Sequence, residues 1–199
     1  SSVGGLVFID FNDPKTPIVE KVDYDFAHSG YTLCTIDSGA DHADLTDEYA
    51  AMPIEMIKVA AFFGKEVLRE VDEQEFYAKI AEIRKETGDR AVLRAIHYFE
   101  ENARTLAQRD ALQAGQFAAF AALVLESGRA SFALCQNVYC STDVRHQGLS
   151  VALALSQSIL QGSTGAWRMQ GGGFAGTIQA FVPGMLTAKY HDAIEKVFG

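Results

Sequence analysis

Apolar and polar positions alternate with a period of two at the start of the chain, Leu6, Phe8 and Asp10 falling on one side and Val7, Ile9 and Phe11 on the other. The run Asp13-Pro14-Lys15-Thr16-Pro17 has turn chemistry, and Ile18, Glu20, Val22 and Tyr24 then share a side again. This pattern predicts a hairpin over Gly5–Phe26, and Tyr31–Asp37 predicts a further strand. The period then changes to that of a helix. Met52, Met56, Val59 and Phe63 are so spaced, as are Phe76, Ile80 and Ile83, then Val92, Ile96, Phe99, Ala103 and Leu106, and then Phe117, Phe120, Val124, Gly128 and Phe132. Glu86–Asp89 and Gln113–Gln116 supply the breaks between these runs. A helix over Leu149–Leu160, two strands flanking a glycine-rich turn, and a closing helix over Met185–Phe198 complete the chain. The pattern is that of an α+β fold, a small antiparallel sheet with packed helices.

The 199 residues are 48% hydrophobic, enough for a sizeable core. The net charge of -9 argues against nucleic acid as a partner, because affinity for phosphate backbones comes from cationic side chains. No apolar run is read as long enough to span a bilayer, and no signal peptide is visible. Cys34, Cys135 and Cys140 form no metal-binding spacing and read as free thiols of a cytoplasmic protein. A strand begins almost at once after Ser1, as in the middle of a longer protein.

The candidate chemistry lies in Trp167–Pro183, WRMQGGGFAGTIQAFVP. Gly171, Gly173 and Gly176 fit G-x-G-x-x-G, but a strand follows where a dinucleotide fingerprint needs a helix. No Lys-Ser or Lys-Thr follows, so the segment is not a P-loop. A hairpin turn or a ligand-facing loop remain open, although hairpins ordinarily need only one or two glycines. Asp37, Asp41, His42, Asp44, Asp47 and Glu48 form an acidic run without a calcium- or zinc-site pattern, read as a solvated loop or a metal site. Tyr49 stands at the following helix entrance, and Arg94 and His97 lie about one turn apart on a helix, an arrangement more typical of packing than of catalysis.

Taken together, these segments resemble galactokinases, within the GHMP kinase superfamily. RMQGGGFAGTIQAFVP is similar to that family's third motif, DSGADHADLTDEY to the strand and loop before its Ser-Glu-Tyr, and DRAVLRAIHYFEEN to its Arg-Ala…His…Glu-Asn helix. SSVGGLVFIDF is similar to the segment after its Asp-Gln motif. Ala175 and Gln170 stand where the family has Gly and Thr, Asp47 where it has Ser, and Met52-Pro53 where Arg-Arg is common.

The resemblance implies a GHMP-kinase C-terminal domain over 28–199, preceded at 1–27 by the terminal hairpin of the N-terminal kinase domain. It implies ATP and Mg²⁺ as cofactors and galactose, phosphorylated at its anomeric hydroxyl, as substrate. Gly171, Gly172, Gly173, Phe174, Ala175 and Gly176 would form the phosphate-side loop, with Phe174 as its apolar anchor, and Tyr49 would bind the sugar. No catalytic or metal-binding residue of the family falls within the chain, because its Asp and Ser-rich ATP loop precede the position of Ser1. The 199 residues alone are therefore expected to be inactive, and the open hairpin is expected to be mobile or to self-associate, with Phe8, Phe11, Val22 and Phe26 short of packing. A valine at Gly173 is expected to stop transfer with little loss of folding. A kinase of another sugar or small alcohol, or a non-catalytic kinase-like ligand sensor, are the alternatives.

Overall fold

The computed structural model describes residues 6–39 and 46–199. β1 (Leu6–Asp10) and β2 (Ile18–Val22) pair antiparallel as an isolated ribbon, Leu6 opposite Val22 and Asp10 opposite Ile18. Asp13 closes the turn by accepting the Lys15 N–H at 2.9 Å. A second, three-stranded antiparallel sheet has the order β3 (Tyr31–Asp37), β5 (Thr177–Pro183), β4 (Ala166–Met169).

The central strand β5 divides the core by its alternation. Ile178, Ala180 and Val182 point to one side, where Leu149, Ala152 and Leu160 of α6 (Gly148–Leu160) and Tyr190 and Ile194 of α7 (Thr187–Phe198) cover them. Phe181 belongs to a second cluster with Phe117, Phe120 and Val124 of α5 (Phe117–Ala130) and with Val22 of the hairpin. A third cluster is helical. Val59 and Ala60 of α1 (Thr46–Phe62), Phe76 of α2 (Glu73–Ala78), Ile83 of α3 (Ile80–Thr87) and Val92 and Ala95 of α4 (Asp89–Gln113) are all buried in it.

Most predicted elements are found, and two details differ. The run Phe76–Ile83 is interrupted at Lys79, where φ −108° and ψ 12° leave the helical region. The apolar run Phe117–Cys135 also forms 19 continuous helical residues, α5 followed by a π turn at 131–135. By length and composition this stretch is long and apolar enough to cross a bilayer, which corrects the expectation that no run is. Phe117, Phe120, Ala121 and Val124 of its inner face are buried against the sheet and hairpin, and Ser127 is buried against Glu101 of α4, as in a core helix.

The hairpin is better packed than the sequence suggests. Val22 is buried, Phe26 stacks on Phe181 with ring centroids 5.6 Å apart, and Phe8 lies under the Arg109 guanidinium at 4.8 Å. Arg69 grips Asp10 through both carboxylate oxygens, at 2.7 and 2.9 Å. The opposite face, with Val7, Ile9 and Val19, is exposed, and so are Phe11 and Ile18 at the turn end of the ribbon.

Candidate active site

The turn between β4 and β5 is built by left-handed backbone. Gly171, Gly173 and Gly176 have φ of 76°, 87° and 89°, and Phe174, without glycine's freedom, is held at 58°. What holds Phe174 there is visible around it. Its ring is buried and meets Tyr49 edge to face at 5.3 Å, and its N–H donates to the Asn137 carbonyl at 2.5 Å. The turn's ends are closed by Gln170 N–H to Thr177 O at 3.0 Å and Ser38 N–H to Gly176 O at 2.9 Å.

Two side chains grip successive carbonyls of this turn. The Tyr49 hydroxyl donates to Gly173 O, and Asn137 Nδ2 donates to Gly172 O at 3.0 Å. Gly172 is glycine because a Cβ there would stand 2.6 Å from Tyr49 Cε1. At Gly173 a Cβ would overlap the Asn137 carbonyl oxygen itself. Burial pushes the Tyr49 hydroxyl above its ordinary pKa, so it keeps the proton it donates. Among the described residues, the N–H groups of Gly171, Gly172 and Gly173 meet no acceptor. A left-handed turn with inward carbonyls and unclaimed N–H groups can receive an anionic oxygen.

The frame around the turn is charged and largely dry. Arg94 is fully buried, donating to Cys135 O at 3.0 Å and to Glu55 Oε2 at 2.9 Å. Glu55 also takes Arg90 at 2.6 Å, and Arg90 reaches Glu48 at 3.5 Å. These contacts lock α1, which carries Tyr49, to α4 and to the segment leading into Asn137. On the other side, Arg168 of β4 donates to Glu101 Oε1 at 3.2 Å, and Ser127 and Arg104 bind the same carboxylate. Burial opposes ionisation of Glu101, yet the Ser127 hydroxyl and the two guanidiniums hold its pKa below the ordinary value. His97 is driven down, chiefly by desolvation, and its Nδ1 is buried without a partner.

The structure thus brings together Tyr49 and all of Gly171–Gly176. Asp41, His42 and Asp44 lie outside the described residues, Asp37 accepts the Gly39 N–H at 3.0 Å, and Asp47 is exposed. Among the described residues no group of three or more His, Cys, Asp or Glu is placed to hold a metal ion. Arg94 turns out to be a buried brace rather than a partner of His97 in chemistry. Asn137 was missed altogether: a single Asn in a loop carries no motif, and only the fold places it against residues 172–174.

No sequence-family profile matches the chain. Galactokinase from Actinobacillus pleuropneumoniae serotype 5b (strain L20) is 32% identical over 154 residues, covering 77% of this chain and 38% of that protein. The galactokinase of Lactococcus lactis, solved in complex with galactose, superposes on 92% of the chain and 44% of its own with a TM-score of 0.70 at 21% identity. The chain resembles the C-terminal portion of a galactokinase. Mevalonate kinase from L. major, in complex with R-mevalonate, gives a TM-score of 0.51 at 14% identity over 98% of the chain and 44% of its own, so the fold extends beyond galactokinases. The chain spans less than half the length of these galactokinases.

Proposed function

We propose that the chain is part of an ATP-dependent kinase that phosphorylates the anomeric hydroxyl of galactose. One observation carries the reading: in a chain with galactokinase relatives, the glycine turn has its Gly172 and Gly173 carbonyls bound by protein donors. The N–H groups of Gly171–Gly173 are left for a ligand. Phosphoryl transfer asks a protein chiefly to position reactants and to stabilise charge on the equatorial oxygens. Main-chain N–H groups fixed in place do this without reorganising. Residues 1–27 are then the last hairpin of an N-terminal domain, and 28–199 the C-terminal domain.

Tyr49 has a more defined role in this reading than the sequence implied. Its proton is committed to Gly173 O, so it meets a sugar hydroxyl as an acceptor. It therefore couples sugar binding to the shape of the phosphate turn. In the complete protein, Tyr49→Phe is expected to raise the sugar KM several-fold, since a neutral hydrogen bond contributes about 0.5–1.5 kcal/mol. The ATP KM should hardly change, and kcat should fall because the Gly173 carbonyl then keeps only the Ala175 N–H, at 2.7 Å. Initial-rate kinetics with each substrate varied checks this. A shift confined to the ATP KM would remove Tyr49 from the sugar site.

A further inference from the structure

Asn137 sits where a π turn, residues 131–135, gives way to a left-handed residue, Gln136 at φ 54°. The buried Arg94 fixes this point from behind through Cys135 O. From there Asn137 meets the glycine turn in three ways. Its Nδ2 donates to Gly172 O at 3.0 Å, its carbonyl accepts the Phe174 N–H at 2.5 Å, and that same carbonyl fills the space a Gly173 side chain would need. The residue is only 6% exposed, and its Oδ1 is buried without a hydrogen-bond partner. Burying an unsatisfied amide oxygen is a cost that an apolar residue of similar size avoids. The amide is therefore there for its donor.

The donor has a directional consequence. No peptide bond in the described chain is cis, and across a trans peptide the carbonyl of one residue and the N–H of the next point in opposite directions. Holding Gly172 O on Asn137 turns the Gly173 N–H away from Asn137, to a side where no acceptor among the described residues meets it. We propose that Asn137 is a positioning residue that sets the direction of the Gly173 N–H towards an oxygen of the transferring phosphoryl group. The assignment rests on the kinase reading of the turn. Tyr49 holds the next carbonyl, so the two side chains fix consecutive peptide planes.

The test compares wild type, Asn137→Asp, Asn137→Ser and the double variant with Tyr49→Phe in the complete protein. Asn137→Asp removes the donor at constant shape and sets a carboxylate against a carbonyl. Asn137→Ser decides if that variant does not fold. The expected result is a loss in kcat of about tenfold or more with both KM values within about threefold, since a misdirected donor is missed mainly in the transition state. The double variant should lose less than the product of the single losses, because both residues act on one turn. A folded variant with unchanged kcat, or one in which only KM rises, overturns the proposal.

A titration with inorganic pyrophosphate, followed at the Gly173 amide by ¹⁵N–¹H correlation spectra, separates this inference from the kinase reading. If wild type shows no transfer, the kinase reading fails, and the titration decides on Asn137 alone. A Gly173 shift present in wild type and lost in Asn137→Ser supports the positioning role, whereas equal shifts in both, or none in either, overturn it.

Discussion

Gly173→Ala is expected to abolish phosphoryl transfer and also to destabilise the fold by about 3 kcal/mol or more. Two costs add. The residue sits at φ 87°, where an L side chain is strained, and its Cβ would overlap the backbone carbonyl of Asn137. Backbone cannot rotate aside as a flexible side chain can. This differs from what the sequence suggests for valine at the same position, a loss of turnover with little loss of folding. The partner at Gly173 is invisible in the sequence and turns the substitution into a packing defect as well. Gly171→Ala is the internal comparison: φ is 76°, but nothing lies within 4 Å of the new methyl group. Its cost should stay near the conformational strain alone, about 1–2 kcal/mol. Urea unfolding of both variants checks the difference. Equal losses would mean that Asn137 does not abut Gly173.

Removing the carboxylate of Glu55 should produce the other large effect. Arg94 is fully buried and Glu55 is its ionic partner at 2.9 Å. Glu55→Ala leaves the guanidinium uncompensated in a dry site, which costs about 3–5 kcal/mol. The loss should be relieved when Arg94→Met is added, because two apolar side chains can replace a buried pair without an orphan charge. The recovery distinguishes a buried ion pair from a generic packing contribution. Thermal unfolding of the single and double variants gives the answer, and simple additivity would contradict the ion-pair account. Since Arg94 also holds Cys135 O, the single variant should loosen the approach to Asn137.

What the sequence discloses follows from how local each signal is. The hairpin, β3 and β5 declare themselves because one face of each is apolar with a period of two, and Gly88 and Gly115, at φ 88° and 68°, end their helical runs as glycines commonly do. The glycine turn is legible because its backbone demands are written directly in residue type. The break at Lys79 is not legible, since no glycine or proline marks it. Nor is the pairing of Tyr49 with Gly173, separated by 124 positions, or of Asn137 with Gly172, separated by 35. Such contacts are set by how α1 and the 136–147 loop close over the sheet. The partners of Arg94 are illegible for the same reason: the helix pattern indicates packing, but only the fold brings Glu55 of α1 and the Cys135 carbonyl of the π turn to it.

The most direct test of the account is sugar-dependent ADP formation from ATP, with galactose as acceptor, by the protein of the complete reading frame and by these 199 residues alone. The complete protein is expected to form ADP and galactose 1-phosphate together, and the 199 residues alone neither. Turnover with another sugar but not galactose would move the substrate assignment. Galactose binding without any ADP formation by the complete protein would contradict the kinase reading and leave a ligand-sensing role in its place.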